Sequence, residues 1–182
     1  LHPVAHSFPT RRSSDLKIVA NAAFSSGYGG VVMAPTFGTE RRGAPVLTSL
    51  KIAKTKIYDL SPISRPDMVI VLDHLLVDEV NVAAGLKPGG TIIINSPRPP
   101  EAFAFDGAKV ATADVTTISA QAGLPQGIVN TGIIGAFAKA WGVISIEALT
   151  DAIKSEFAGK GPEKNAEAAR VTYERTVIGG SS

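Results

Sequence analysis

Two continuous apolar runs dominate the middle of this chain. MVIVLD at 68–73 and TIIINS at 91–96 each end in polar residues, as strands buried on both faces of a parallel sheet do. Spaced leucines and valines lie between them, before Gly85 and a Pro-Gly-Gly stop, which predicts a helix that ends near Gly85. The three segments therefore predict a strand, helix, strand crossover.

The pattern also predicts elements on the N-terminal side of this crossover. The segment that starts at Lys17 has apolar residues at helical spacing and is followed by Gly27, a typical C-cap. Its predicted buried face consists of Ile18, Ala22 and Ala23. VVMA at 31–34 predicts a short buried strand, and residues 46–60 predict two extended pieces that turn near Ala53 to form an antiparallel hairpin.

The C-terminal half predicts one more strand and then helices. AKVATADVT at 108–116 predicts the strand, and NTGIIGAFAKAW predicts a helix with Asn130 and Thr131 as capping residues. ISIEALTDAIKSEF has apolar residues at helical spacing, and PEKNAEAARVTYE has Pro162 in its first turn. The predicted fold class is α/β: a three-layer α/β/α, Rossmann-like open mixed sheet with a β-hairpin insertion.

Composition narrows the class of protein. The 182 residues fit one domain, and 45% hydrophobic content with a net charge of +2 is typical of a globular domain rather than of a nucleic-acid binder. Cysteine is absent, so the chain cannot ligate an iron–sulfur cluster through thiolates. No apolar stretch reaches the ~20 residues of a membrane span, and residues 1–16 lack the apolar region of a signal peptide. We expect a cytoplasmic protein without nucleic-acid or membrane partners.

Ligands of open α/β sheets gather beyond the carboxyl ends of parallel strands. Pro35, Asp73, Asn95 and Asp114 follow the predicted strands there. Helical residues follow Asp73 at once, so a helix N-cap is a better interpretation than a ligand. His74 is interpreted as a surface or core histidine rather than as a metal ligand, because a metal site needs three or four ligands and no second histidine stands nearby in the sequence.

Two glycine-containing segments invite a binding role. GYGG at 27–30 lies after a helix and before a strand, which is the wrong order for a phosphate-binding loop, and an NAD dehydrogenase is disfavoured. TFGTERRGAPV at 36–46 places Arg41 and Arg42 next to each other. Each guanidinium group can bind a phosphate or a carboxylate through two parallel hydrogen bonds. From spacing alone, solvated surface charge is the favoured interpretation of these arginines. GIIGAFAKA has small residues that suit either core packing or a subunit contact.

TFGTERRGAPV also resembles the F-G-P-E-R-R-G-A-P-V signature of the gamma subunit of 2-oxoacid:ferredoxin oxidoreductases, pyruvate synthase in particular. Thr39 stands where that signature usually has proline. Further matches follow in the same order: PDMVIVLD, GLKPGGTIIINS, VNTGIIGAFAKAWGVISIEAL and EKNAEAARVTYE. Together they cover about residues 17 to 174.

The resemblance implies a subunit of an enzyme that decarboxylates a 2-oxoacid on thiamine diphosphate and passes electrons through iron–sulfur clusters to ferredoxin. The acyl group goes to coenzyme A. It implies alpha, beta and ferredoxin-like delta subunits as partners, which hold the thiamine diphosphate, Mg²⁺ and clusters, so that this chain alone binds no cofactor and is inactive alone. No acid, base or nucleophile is assigned to it.

The resemblance implies that Arg41 and Arg42 of TFGTERRGAPV contact a coenzyme A phosphate or a carboxylate of a partner subunit. The candidate cofactor-binding or subunit-contact residues are Pro35, Phe37, Gly38, Glu40, Arg41, Arg42, Gly43, Asp73, Asn95, Asn130 and Thr131. The RRGAP form resembles pyruvate or branched-chain 2-oxoacid (ketoisovalerate) enzymes more than 2-oxoglutarate enzymes. A purely structural subunit and a stand-alone nucleotide-binding enzyme are the alternatives from other classes.

Residues 1–16 show neither helical nor strand periodicity. HSFPTRRSSDL at 6–16 resembles the translation of a widely used short-read sequencing adaptor; a disordered tail or a basophilic kinase site at 11–14 are the other interpretations. The family begins with a strand and a G-R-G-G-Q-G loop that lead into the helix starting here at Lys17. We therefore expect residues 1–16 to be non-native, the first strand to be missing and 17–182 to form one gamma domain.

Overall fold

A computed structural model describes residues 2–7, 14–35, 47–61 and 63–179. Within these residues the strands are β1 His2–Ser7, β2 Gly30–Pro35, β3 Leu47–Ala53, β4 Met68–Val71, β5 Thr91–Asn95, β6 Lys109–Ala113 and β7 Val177–Gly179. The helices are α1 Ser14–Ser25, α2 Leu76–Glu79, α3 Val115–Gln121, α4 Asn130–Trp141, α5 Ile146–Glu156 and α6 Pro162–Arg175, with a 3-10 turn at Pro100–Ala102. These elements confirm the predicted α/β class.

One open mixed sheet holds the described strands in the order β2-β3-β1-β4-β5-β6-β7. β1, β4, β5 and β6 are parallel to their neighbours in that group, whereas β3 is antiparallel to both β2 and β1, and β7 is antiparallel to β6. β4 and β5 are the two apolar runs of the sequence, and their burial confirms that both faces of these strands are covered.

The expectation of a missing first strand is wrong, because residues 2–7 form β1 in the interior of the sheet. Ala5 pairs with Ser49 of β3 on one side and with Val69 of β4 on the other. A gap at this position would leave backbone donors and acceptors of two strands unpaired, and any extended segment can satisfy them whatever its side-chain pattern. The non-native origin of residues 1–16 stays a prediction.

The predicted hairpin within residues 46–60 is also wrong. Residues 47–53 form a single strand whose antiparallel neighbours are β2 and β1, and residues 54–61 form no strand. The backbone there passes directly over Gly30, where a Cβ would collide with the carbonyl oxygen of Thr55. The antiparallel partners of residues 47–53 are therefore β2 and β1, and not a second piece of the same segment.

Two further elements differ from the prediction. The crossover helix between β4 and β5 is a single turn, α2, with no buried residue, and turns complete the connection. β2 was predicted to be buried, but it lies at the edge of the sheet, where Val31 and Val32 are half-buried and Met33 is exposed. An edge strand has neighbours on one side only, which apolar composition cannot reveal.

The core lies mainly on one face of the sheet, between the strands and helices α1, α4, α5 and α6. Its largest fully buried side chains include Ile18, Leu50, Ile52, Ile70, Ile93, Ile133, Phe137, Leu149 and Ile153. A smaller cluster on the other face joins Val69, Val71, Ile92, Ile94, Phe103, Ala108 and Val110. The predicted apolar faces of α1 and α5 are thereby confirmed.

Helix α4 is buried along eight consecutive residues and packs between the sheet and α6. A Cβ at Gly135 would collide with the carbonyl oxygen of Ala169 in α6, and one at Gly132 would collide with Val115 in α3. Of the two interpretations of GIIGAFAKA, core packing within the chain accounts for these glycines.

Candidate functional site at the carboxyl edge of the sheet

The carboxyl ends of β1, β2, β4, β5 and β6 lie along one edge of the sheet, which we call the carboxyl edge. The structure places Pro35, Asp73 and Asn95 there. Asp73 follows β4 and Asn95 is the last residue of the neighbouring β5, whereas Pro35 ends β2 at the far side of the sheet. Three strand spacings separate β2 from β4, roughly 14 Å.

Asn95 is buried and uses its whole amide to hold this edge together. Its Nδ2 donates to the carbonyl oxygen of Leu72 at 3.0 Å and to Oγ1 of Thr116 at 3.0 Å. Its Oδ1 accepts from the backbone N–H of Val115 at 2.9 Å. Both donor hydrogens and the acceptor are thus engaged, and Asn95 ties the end of β4 to the start of α3.

Asp73 makes a local turn rather than a helix cap. Its Oδ1 accepts from the backbone N–H of Leu75 at 3.0 Å, and α2 begins one residue later. This Asx-turn agrees with the structural interpretation of Asp73, although the detail of an N-cap was wrong. Among the described residues no three histidine, cysteine or acidic side chains come together as a metal site.

Sequence reasoning missed the cap of α3 and the role of the serine after β5. Asp114 is the N-cap of α3 and accepts from the backbone N–H of Thr117 at 3.0 Å. Ser96 is buried, and its Oγ accepts from the backbone N–H of Arg98 at 3.0 Å. An aspartate directly before the first residue of a helix is a recognised N-cap signal, whereas the apolar pattern indicates only the end of a strand at this position.

Asn130 and Thr131 occupy the first turn of α4, but neither is the N-cap, which is Val129. Thr131 is buried and its Oγ1 donates to Oδ1 of Asn165 in α6 at 3.1 Å. Asn165 in turn donates to the carbonyl oxygen of Gly161 at 2.9 Å. The capping prediction is wrong, because the hydroxyl of Thr131 forms a hydrogen bond between α4 and α6 instead of capping α4.

The other candidate residues, Phe37, Gly38, Glu40, Arg41, Arg42 and Gly43, lie outside the described residues. The described chain on either side of them ends at Pro35 and resumes at Leu47, and Pro35 pairs with Thr48. Both flanking positions belong to the carboxyl edge. Their role stays a prediction.

The GYGG segment has a structural explanation. Gly27 has a φ of 86°, which suits a glycine at the end of α1. Gly29 donates its N–H to the carbonyl oxygen of Lys54 at 3.1 Å, and Gly30 lies against Thr55. These contacts agree with the conclusion that GYGG is not a nucleotide-binding loop.

Sequence reasoning also missed a buried lysine in the inner strand β3. Lys51 in β3 is 5% exposed, and its Nζ lies 2.9 Å from Oδ2 of Asp59 and 3.1 Å from the carbonyl oxygen of the same residue. Hydrogen bonds from Ser61 and from Lys51 hold the pKa of the Asp59 carboxyl well below its usual range. A lysine between the apolar residues Leu50 and Ile52 of a predicted extended segment was the available signal.

Comparisons with known proteins agree with this architecture. The profile of the family described as "Pyruvate ferredoxin/flavodoxin oxidoreductase" matches residues 16–175. The "Pyruvate/ketoisovalerate oxidoreductases common subunit gamma" of Thermococcus litoralis is 45% identical over 166 residues, which cover 88% of each chain. "Pyruvate synthase subunit PorC" of Methanothermobacter marburgensis is 43% identical over 159 residues, which cover 87% of each chain.

A solved structure extends the similarity to the fold. Pyruvate oxidoreductase subunit PORC of Thermotoga maritima superposes with a TM-score of 0.77 at 25% identity, and the match covers 98% of both chains. The open mixed sheet and the profile match define the class: the chain belongs to the pyruvate ferredoxin/flavodoxin oxidoreductase family. Within that family it corresponds to the gamma subunit of a 2-oxoacid:ferredoxin oxidoreductase. None of the helices in the described ranges has the length and apolar character needed to cross a bilayer.

Proposed function

We propose that this gamma subunit takes part in the coenzyme A-dependent oxidation of pyruvate to an acyl-coenzyme A, with ferredoxin as electron acceptor. The observation that carries the proposal is the family match over residues 16–175, together with relatives whose names specify pyruvate. Ketoisovalerate is the second substrate that a relative's name supports. We place the assembled enzyme in the cytoplasm.

The chemistry of oxidation belongs to companion subunits in this proposal. The chain has no cysteine, so thiolate-ligated clusters must lie on other subunits. Thiamine diphosphate and Mg²⁺ are likewise assigned to partners, which we take to be alpha, beta and ferredoxin-like delta subunits. The gamma subunit contributes binding surface rather than an acid, base or nucleophile.

The segment TFGTERRGAPV supplies the charged part of that surface in our proposal. It connects two strands whose adjoining ends, Pro35 and Leu47, lie at the carboxyl edge. Guanidinium groups bind phosphate and carboxylate oxygens through paired hydrogen bonds. Arg41 and Arg42 would therefore hold either a coenzyme A phosphate or a carboxylate of a companion subunit.

The test is reconstitution with purified companion subunits from the same organism. Pyruvate, ketoisovalerate and 2-oxoglutarate are each supplied with coenzyme A, and ferredoxin reduction is followed optically. We expect pyruvate to give the highest kcat/KM, and we expect the gamma subunit alone and the companions alone to be inactive. Full activity of the companions without gamma would reduce this chain to a structural subunit, and turnover by gamma alone would overturn the proposal.

A further inference from the structure

Residues 54–61, which we call the Tyr58 loop, connect the end of β3 to the approach to β4. β3 runs away from the carboxyl edge, so this loop begins at the opposite, amino edge of the sheet. It is therefore separate from the candidate site residues Asp73 and Asn95.

Hydrogen bonds from the buried residue Lys51 fix the backbone of the Tyr58 loop. The buried ammonium group of Lys51 donates to the side chain of Asp59 at 2.9 Å and to its backbone carbonyl at 3.1 Å. The backbone N–H of Ser61 donates to Oδ1 of Asp59 at 2.9 Å, which closes a turn. At the start of the loop the N–H of Gly29 donates to the carbonyl oxygen of Lys54 at 3.1 Å, and in its middle Ile57 is half-buried and lies close to Gly30. The loop is thus held at its start, its middle and its end.

This pinning leaves the two neighbours of Asp59 at the surface. Tyr58 is 81% exposed and Leu60 is 70% exposed, the highest values for large hydrophobic side chains in the described part of the chain. Single exposed apolar residues need no explanation. Here, however, two such residues stand two positions apart on a backbone that Lys51 holds through Asp59, whose own side chain is 62% exposed.

The physical consequence is a prearranged pair of binding side chains. Tyrosine is among the residues that dominate binding energy at interfaces, and it can bury roughly 150–250 Å². Ordering a free loop normally opposes association, but a loop already fixed by Lys51 has less entropy to lose. The fixed backbone thus favours docking of Tyr58 and Leu60 into an apolar recess.

Charge on the loop indicates the chemistry of the surface that receives it. Lys54 and Lys56 are exposed, and Nζ of Lys56 lies 5.4 Å from the centre of the Tyr58 ring. The carboxylate of Asp59 is already engaged by Lys51. The loop therefore presents apolar side chains flanked by positive charge.

We infer that the Tyr58 loop is the docking surface for a companion subunit of the same oxidoreductase, which offers an apolar recess with carboxylates at its rim. This inference rests on the proposed function, because it takes its partner from the subunit assembly. A second copy of this chain fits less well, because a two-fold contact through the same loop would bring its lysines together.

The experiment measures binding of the gamma subunit to the purified subcomplex of its companions by biolayer interferometry. Tyr58→Ala with Leu60→Ala removes both anchors, and Lys54→Glu with Lys56→Glu reverses the charge. Phe24→Ala is the matched control, because Phe24 is an aromatic residue that is 51% exposed on α1. All variants change exposed side chains, so circular dichroism and melting temperature should match the wild type.

We expect the double alanine variant to bind about 30-fold more weakly, which corresponds to about 2 kcal/mol at an interface hot spot. The charge reversal should weaken binding most at low ionic strength, and Phe24→Ala should bind as the wild type does. Wild-type binding with unchanged affinity of both double variants would overturn this inference and leave the proposed function intact. Failure of the wild type to bind its companions would overturn both. Concentration-dependent dimerisation that both double variants abolish would assign the loop to a second copy instead.

Discussion

Oδ1 of Asn95 accepts a hydrogen bond of 2.9 Å from the backbone N–H of Val115, 20 residues further along the chain. The same side chain donates to the carbonyl oxygen of Leu72. Asn95 was a candidate ligand, yet every polar atom of its amide already has a partner inside the chain. It therefore acts as a support of the carboxyl edge.

Asn95→Ala should destabilise the subunit because it leaves the N–H of Val115 and the carbonyl oxygen of Leu72 without their partner. A buried polar group left unpaired costs about 1–3 kcal/mol. Urea unfolding followed by circular dichroism measures the loss, with the exposed Asn81→Ala as control. Equal stability of both variants would show that water replaces the amide.

Gly135→Ala should also destabilise the fold, although alanine is the better helix former by about 1 kcal/mol. The added methyl group would collide with the backbone carbonyl of Ala169, and overpacking of this kind typically costs about 1–3 kcal/mol. Backbone cannot move aside as a flexible side chain can. The free energy of unfolding of both Gly135→Ala and the control Glu156→Ala, at an exposed position on α5, is measured by urea titration. A Gly135→Ala variant as stable as Glu156→Ala would mean that α6 shifts freely.

Stability should depend on Asp59 at acid pH. Hydrogen bonds from Ser61 and Lys51 lower the pKa of its carboxyl below the ordinary value of 3.8, so the folded state favours the ionised form. The stabilisation is fully present above that ordinary value and is lost as the pH falls below it. The difference in melting temperature between the wild type and Asp59→Asn should therefore shrink from pH 5 towards pH 2.5.

Lys51→Met is the partner control for this pH effect. In that background the Asp59→Asn substitution should show a weaker pH dependence, because one of the donors to the carboxylate is gone. An unchanged dependence would mean that Lys51 does not contribute to the acid sensitivity.

Arg41 and Arg42 should act on a group outside this chain. Alanine in place of either should weaken assembly or raise the Michaelis constant for coenzyme A, while the melting temperature of the isolated subunit stays nearly the same. Removing one partner of a desolvated pair costs about 2–5 kcal/mol, against at most ~1 kcal/mol for a solvated pair. Lysine variants keep the charge but lose the paired hydrogen bonds, so they should recover only part of the loss. Normal assembly and turnover of both alanine variants would show that the arginines belong to a solvated loop.

The source locus should encode a different segment upstream of Lys17. The prediction rests on the resemblance of HSFPTRRSSDL to an adaptor translation, and the family match begins at residue 16. Amplification from source DNA with an upstream primer should yield a strand and a glycine-rich loop. Genomic codons for residues 6–16 would refute the adaptor interpretation.

The sequence by itself determined the elements whose signals are local. β4 and β5 follow from continuous apolar runs, and α1, α5 and α6 follow from helical spacing, with Gly27 after α1 and Pro162 at the start of α6. The family could be recognised because its motifs are short, contiguous and in order along the chain. Each of these signals needs only neighbouring residues.

Only the tertiary structure decided which segments meet. The place of β1 between β3 and β4, the position of β2 at the edge and the pairing of β3 depend on backbone groups far apart in sequence. The hydroxyl of Thr131 could have capped a helix, and the amide of Asn95 could have bound a ligand. Instead, Thr131 bonds to Asn165, 34 positions away, and Asn95 bonds to Val115, 20 positions away. A buried polar group takes whatever partner the packed chain brings within about 3 Å, and that choice is settled by packing rather than by the local pattern.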